Sequence, residues 1–121
     1  MTTHTFTIAY KEVSGEAQLS ANDRKLLKEA WLACDSAYAP YSNFHVGAAL
    51  ELANGLIFKG NNQENAAYPS GICAERVAVF SASSQYPGVA IRSIAVVAKT
   101  DVFNLTNPVT PCGACRQVIA E

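Results

Sequence analysis

The sequence lacks the features that would place it in a membrane or on a nucleic acid duplex. None of its apolar runs reaches the roughly 18 residues that a membrane-spanning helix needs, and its first residues lack the basic and then apolar regions of a secretory signal. It also lacks a basic excess, since 9 Lys and Arg stand against 10 Asp and Glu, for a net charge of −1. Proteins that neutralise duplex phosphates usually carry such an excess. We therefore expect no nucleic acid and no membrane as partners.

The chain also has no internal repeat, low-complexity run or interdomain linker, and its 121 residues suffice for one domain at most. Half of the residues are hydrophobic and 16% are charged, which is apolar enough for a packed core. We therefore treat residues 1–121 as a single domain. Because the last predicted helix has no C-terminal cap or glycine after it, we expect this domain to be truncated at its C-terminus.

Hydrophobic periodicity predicts an α/β domain with helices packed on a small mixed sheet. Ser20 with Asp23 three residues later is close to a capping box, and Asn54-Gly55 is a strong hairpin turn signal. We expect a loose arm or an edge strand over residues 1–18 and a long polar loop over residues 60–70. Helices are predicted over residues 20–36, 73–84 and from 112 onward, with strands over residues 44–52 and 56–59 and a buried strand over 91–98.

Three of the four cysteines have a spacing that suggests a metal site. Cys73 and Cys112 each stand at a predicted helix start, where the positive end of the helix dipole favours a thiolate. Cys112 and Cys115 are three residues apart and therefore share one face of their helix. Three thiolates can occupy three corners of a tetrahedron around Zn²⁺ and leave the fourth corner to water.

Two charged residues after Cys73 have the chemistry to serve such a metal. Glu75 can lie beside the ion without ligating it and take a proton from a water whose pKa the zinc lowers toward about 7. Zinc with three thiolates carries a net charge of −1, and a guanidinium from Arg76 that donates to the thiolates would offset it.

Other interpretations of the same residues remain open from the pattern alone. Cys34 could complete a four-cysteine structural zinc site, although it fits the apolar stripe of the first helix and free cysteine is usually a small buried hydrophobe. A thioredoxin-like redox pair at Cys112 and Cys115 would need a strand directly before it. Glu75 and Arg76 could be an ordinary charged pair on a helix surface.

Five segments, in order along residues 20–121, resemble the cytidine deaminase family. Cysteine at position 73, where the larger dimeric and the nucleic-acid-acting deaminases have histidine, indicates the small tetrameric type. This resemblance implies a three-layer α/β sandwich, one Zn²⁺ per chain, a homotetramer with shared active sites and a cytoplasmic location. The segments are Tyr38-Ala-Pro-Tyr-Ser-Asn-Phe44, Val46-Gly-Ala-Ala, Asn62-Gln-Glu-Asn-Ala-Ala-Tyr68, Ile72-Cys-Ala-Glu-Arg76 and Pro111-Cys-Gly-Ala-Cys-Arg-Gln117.

The resemblance further implies an activity and the residues that carry it. The activity is hydrolytic deamination of cytidine and 2′-deoxycytidine to uridine and 2′-deoxyuridine, with release of ammonia, in pyrimidine salvage. Cys73, Cys112 and Cys115 match the zinc ligands, Glu75 matches the proton shuttle, and Arg76 matches the arginine that moderates the thiolate charge.

For the substrate, the resemblance assigns Asn62 and Glu64 to the ribose 3′-hydroxyl, and a carboxamide with a carboxylate does form a donor–acceptor pair for one hydroxyl. Gln63 departs from the apolar residue usual in the family, and His45 is expected to be structural or exposed. The other implied contacts are Phe44 at the pyrimidine, the Ala74 backbone at the base, the Thr110 carbonyl at the amino group, and Ala66 and Tyr68 in a neighbouring subunit's site near the 5′-hydroxyl.

Two alternatives to cytidine deamination share these motifs. A deaminase of another aminopyrimidine nucleoside, such as the antibiotic blasticidin S, would use the same zinc motif with different substrate contacts. A non-enzymatic structural zinc domain would use the cysteines alone.

Overall fold

A three-stranded sheet lies between helices in the computed structural model, which describes residues 1–121. None of the helices combines the length and the apolar character needed to span a bilayer. The predicted order α-β-β-α-β-α is confirmed, with most bounds within two residues. The elements are α1 (Ala21–Cys34), β1 (His45–Leu52), β2 (Ile57–Asn61), α2 (Ala74–Gln85), β3 (Ile91–Lys99) and α3 (Gly113–Ala120), with short 3-10 turns at Glu16–Gln18 and Tyr68–Ser70.

The local signals read from the sequence act as expected. Ser20 caps α1: its Oγ accepts from the Asp23 backbone N–H at 3.0 Å and donates to the Asp23 carboxylate at 2.7 Å. Gly55 adopts a φ of 85° in the turn between β1 and β2, a left-handed conformation that glycine takes at little cost. The cap and the turn therefore fix where α1 begins and where the hairpin reverses.

The sheet has β1 at its centre, in the order β2-β1-β3. Both neighbours pair with β1 antiparallel, so the predicted α/β class is confirmed, whereas the predicted mixed pairing is not found among these three strands. The path of the chain is the physical reason that both pairings are antiparallel. After the hairpin, α2 carries the chain across to the far edge of β1. There β3 runs parallel to β2 but is not its neighbour.

Alternate residues of β1 serve two separate cores, which makes the fold a three-layer sandwich. On one face Ala48, Leu50 and Leu52 pack against α2, while Val118 of α3 contacts the same core. On the other face Ala49 packs against α1. The whole central part of β1 is buried, because helices cover both of its faces.

The expectation that β3 is a buried strand is wrong. The strand predicted as buried, β3, has only Val97 fully buried, because it lies at the edge of the sheet. Of the two alternatives predicted for residues 1–18, the structure shows an exposed arm and not an edge strand, with the 3-10 turn at Glu16–Gln18 as its only regular element. The exposed side chains of this arm include the aromatic rings of Phe6 and Tyr10.

Two glycines let the helices approach the sheet closely. A Cβ at Gly47 would overlap the carbonyl oxygen of Ala30 and lie 2.6 Å from the Cys34 nitrogen, both in α1. A Cβ at Gly60 would overlap the Ala74 carbonyl oxygen at the start of α2. Gly60 therefore sets how close the first turn of α2, which follows Cys73, lies to the sheet.

We expect Gly47→Ala to lower the free energy of unfolding by about 3 kcal/mol, because the new methyl group meets backbone atoms that cannot move aside individually. Urea denaturation monitored by circular dichroism measures the change. Gly15→Ala is the matched control, since nothing lies within 4 Å of a Cβ there and its φ of −177° is open to any residue. Equal free energies of unfolding for the two variants would show that the packing of α1 on the sheet does not depend on a glycine at position 47.

Candidate active site

Two helix N-termini bring the three predicted metal ligands together. Cys73 is the N-cap residue of α2, Cys112 is the N-cap residue of α3, and Cys115 lies in the first turn of α3. Their Sγ atoms lie within 4.8 Å of one another, with Cys73 and Cys112 3.9 Å apart. A tetrahedral site with Zn–S bonds of about 2.3 Å requires sulfur atoms about 3.8 Å apart. The three thiols therefore fit one Zn²⁺ and leave a fourth position open.

The thiols differ in their electrostatic surroundings. Burial raises the pKa of the Cys115 thiol to about 12, and the nearby Glu75 charge adds to the effect. Hydrogen bonding to the backbone of Cys115, at the start of α3, lowers the pKa of Cys112. A buried thiol of the Cys115 kind becomes a thiolate when a cation compensates its charge, so metal binding here releases protons.

Arg76 supplies a positive charge directly beside the thiols. Its Nη2 donates to Cys73 Sγ at 3.4 Å. Hydrogen bonds to Cys73 and then to Cys115 raise the pKa of the Arg76 guanidinium, so it stays charged. Its buried Nε has no hydrogen-bond partner. The guanidinium thus lies where it can reduce the excess negative charge of three thiolates.

Glu75 is one of two buried carboxylates in the protein, with 5% of its surface exposed. It is the second residue of α2, and its charge is close enough to Cys115 to raise the pKa of that thiol. The interpretation of Glu75 and Arg76 as an ordinary surface pair is therefore wrong. The Glu75 carboxylate lies beside the three thiols. The group of side chains that could hold a metal contains the three cysteines and not Glu75.

Cys34 lies outside the cluster. It is completely buried in the core beneath α1, and its Sγ donates to the His45 carbonyl oxygen at 3.3 Å. Burial raises the pKa of this thiol. The four-cysteine structural site is therefore excluded, and Cys34 is confirmed as a core residue. The strand that a thioredoxin-like pair requires is also missing, because residues 100–112 contain no regular element.

A cavity of about 630 Å³ opens beside Cys73 and Arg76, within the size range of pockets for small molecules. Asn62 and Glu64, which the sequence assigns to the substrate, line it, and so do Ala66 and Tyr68, which the sequence assigns to a neighbouring subunit's site. Phe44, Ala74 and Thr110 do not line it. The remaining lining residues are Tyr41, Ser42, Gln63, Asn65, Pro69, Gly71 and Ile72.

Three hydrogen bonds hold Glu64 at the wall of this cavity. Its Oε2 accepts from the backbone N–H groups of Tyr41 at 2.8 Å and Ser42 at 3.3 Å, and its Oε1 accepts from the Ser42 hydroxyl. These hydrogen bonds, that of the Ser42 hydroxyl first, lower the pKa of Glu64, so it is ionised at neutral pH. A carboxylate can accept about four hydrogen bonds, so one acceptor direction, on Oε1, is free for a ligand.

Asn62 lies on the same wall with a complementary group to offer. Its Oδ1 accepts from the Val46 backbone N–H at 2.7 Å, and its Nδ2 donates to the Phe44 carbonyl oxygen at 2.8 Å. A carboxamide has two N–H donors, so the second one is free for a ligand. Gln63 between them also lines the cavity, and its Nε2 donates to Asn61 Oδ1 at 2.6 Å and not to Asn62 or Glu64.

A sequence model described as "Cytidine and deoxycytidylate deaminase zinc-binding region" matches residues 20–121 of the chain. The chain belongs to this family. Zinc is therefore its cofactor, in agreement with the three-cysteine cluster. The non-enzymatic interpretation of the cysteines loses its support, since this is a family of hydrolases.

Individual relatives agree with the family match. A protein named cytidine deaminase from Sporosarcina psychrophila is 52% identical over 98 residues, which cover 80% of this chain and 67% of the relative. Another, from Halalkalibacterium halodurans, is 51% identical over 100 residues, covering 82% of this chain and 71% of the relative.

Solved structures share the fold. The crystal structure of cytidine deaminase from Burkholderia pseudomallei superposes with a TM-score of 0.72 at 47% identity, covering 85% of this chain and 76% of that one. The structure from Mycobacterium tuberculosis gives a TM-score of 0.69 at 33% identity, with 83% and 76% covered. The three-layer deaminase fold expected from the sequence is therefore confirmed.

Some residues near the site could not be predicted from the sequence. Ser42, which fixes Glu64, lies inside a recognised motif, but nothing in the pattern shows its partner. Phe103 stacks on Phe44 with ring centroids 6.1 Å apart and planes 12° apart. Its neighbour Asp101 accepts a hydrogen bond from Asn43 Nδ2. The sequence predicts only an irregular connection over residues 101–110, because these residues have no periodicity.

Proposed function

We propose that this site deaminates cytidine and 2′-deoxycytidine hydrolytically: each substrate and one water give uridine or 2′-deoxyuridine and ammonia. The observation that carries the proposal is a buried carboxylate, Glu75, beside three cysteines that could hold zinc, one of which, Cys73, lines a cavity of nucleoside size. The relatives named cytidine deaminase support the choice of substrate.

Glu75 acts as the proton carrier, and the cysteines hold the metal. Cys73, Cys112 and Cys115 would hold the Zn²⁺, which would lower the pKa of a bound water toward about 7. Glu75 takes a proton from the attacking water and delivers it to N3 of the cytosine ring, which makes C4 more electrophilic. It then carries the second proton to the exocyclic nitrogen, which leaves as ammonia. Arg76 limits the charge that the thiolates pass to the metal.

Asn62 and Glu64 hold the ribose through one hydroxyl. The free N–H of Asn62 Nδ2 donates to the 3′-oxygen, and the free acceptor direction of Glu64 Oε1 receives the 3′-hydroxyl proton. This pair makes no use of the 2′-position. Cytidine and 2′-deoxycytidine are therefore both substrates.

Backbone groups at the two helix starts recognise the base. The Ala74 N–H belongs to the first turn of α2, whose N–H groups have no partner within the helix. The Thr110 carbonyl, two residues before Cys112, accepts from the departing amino group. The ring of Phe44, whose backbone Asn62 binds, lines the pyrimidine.

The assembly that fits this site is a homotetramer with shared active sites. Ala66 and Tyr68 lie on the cavity wall but are exposed in the single chain, Tyr68 by 90%, so their side chains are available to a neighbouring subunit's site near the 5′-hydroxyl. A site of three thiolates requires reduced cysteines, which favours the cytoplasm as its location and pyrimidine salvage as its role.

A panel of substrates tests the proposal. We expect turnover of cytidine and 2′-deoxycytidine, measured by ultraviolet absorbance and ammonia release, with kcat/KM about 10- to 100-fold lower for 3′-deoxycytidine, because it leaves the ionised Glu64 without its hydroxyl. Turnover of blasticidin S without turnover of cytidine would contradict the proposed substrate. Equal kcat/KM for cytidine and 3′-deoxycytidine would remove Asn62 and Glu64 from ribose recognition.

A further inference from the structure

Four residues join the segment that contributes Tyr41 and Ser42 to the cavity wall to the segment between β3 and α3. Phe103 stacks on Phe44, and Asp101 accepts from Asn43 Nδ2. We name these four residues the aromatic clasp. The first of the two segments, residues 41–44, supplies the backbone N–H groups that donate to Glu64. The second segment runs from β3 to Cys112 at the start of α3.

The clasp includes a residue with an unfavourable backbone conformation. Asn43 has a φ of 54°, the only left-handed conformation of a residue other than glycine in the protein. Asparagine tolerates this conformation better than most residues, at a modest cost. Phe44 follows Asn43 and directly precedes β1. The conformation of Asn43 therefore sets the direction in which the chain enters β1. Asp101 binds the side chain of Asn43 from the opposite segment.

We propose that Phe103 is a positioning residue for base recognition, acting through the ring of Phe44. This inference rests on the proposed function, which places Phe44 against the pyrimidine. Near-parallel rings with centroids 6.1 Å apart form an offset stack, which restricts the orientation of Phe44. Because Phe103 is 52% exposed, its ring acts chiefly through this contact and not as part of a buried core.

Loss of the stack should weaken binding of the base more than it slows chemistry, because Glu75 and the three cysteines lie on other elements. Phe103→Ala should raise KM for cytidine, and the Ki of uridine as a competitive product, about 3- to 10-fold. Its kcat should stay within about twofold and its zinc content should be unchanged. Phe103→Tyr, which keeps a stacking ring, should restore both constants, whereas Phe103→Leu should not.

Val102→Ala is the matched control, since Val102 is the adjacent apolar residue and is 66% exposed. If Phe103→Ala fails to fold, Asp101→Ala should still raise KM, since it releases the same segment through Asn43. An unchanged KM and Ki, equal rescue by leucine and tyrosine, or a loss of kcat together with zinc would overturn the proposal. Wild-type protein inactive on cytidine would instead contradict the proposed function itself.

Discussion

Glu75→Gln is expected to keep its zinc and lose about 10²- to 10⁴-fold in kcat on cytidine. The amide has nearly the shape of the carboxylate, so the first turn of α2 and the cysteines beside it should not move. It cannot accept the proton of the attacking water or pass it to the ring and the leaving nitrogen, and general acid–base catalysis contributes about this factor. Steady-state kinetics with the zinc content of the same sample measure the effect.

Glu51→Gln provides the matched control. Glu51 is the other buried carboxylate, 8% exposed, and it lies in β1, where it accepts from Asn22 Nδ2 at 2.6 Å and pairs with Arg92 at 3.8 Å. Its loss of charge should lower stability slightly and leave kcat unchanged. Near-normal turnover by the Glu75 variant would disprove the proposed proton transfer, even if zinc were retained.

Cys112→Ala is expected to abolish zinc binding and, with it, turnover by more than about 10³-fold, since two remaining thiols form an incomplete site. Cys112 is exposed and its side chain does not cap α3, so the substitution should leave the cores on both faces of the sheet intact. Bound metal, measured by elemental analysis after gel filtration, and cytidine turnover should therefore fall together while the circular dichroism spectrum stays the same.

Cys34→Ala is the control for this variant. It also removes a thiol, but from the core beneath α1, so it should lower the melting temperature and keep one zinc per chain. A Cys34 variant that loses zinc, or a Cys112 variant that retains a full equivalent, would mean that the metal is bound elsewhere.

The sequence alone predicts the order of elements because this order depends on local signals. Ser20 with Asp23 caps α1, and Asn54-Gly55 turns the hairpin. Cys73 and Cys112 stand at helix starts, as predicted. Helix prediction does not show that these two helix starts meet across 39 positions of the sequence. The ligand spacing typical of zinc and the family resemblance predict that contact.

Features that depend on tertiary contacts could not be predicted in this way. The apolar composition of β3 suggests a buried strand, but its place at the sheet edge leaves only Val97 fully buried. The pairing of the strands follows from the path of the chain around α2, which no periodicity encodes. Phe103 meets Phe44 across 59 positions of the sequence, from a segment without a pattern.

Returning zinc to metal-stripped protein shows whether one zinc held by three cysteines enables deamination of cytidine. Cytidine turnover, followed by ultraviolet absorbance, and bound zinc are measured on the same sample at each addition. We expect no turnover without metal and a linear rise that ends at one zinc per chain. Full turnover by the metal-free protein, or no turnover at one bound zinc, would contradict this expectation.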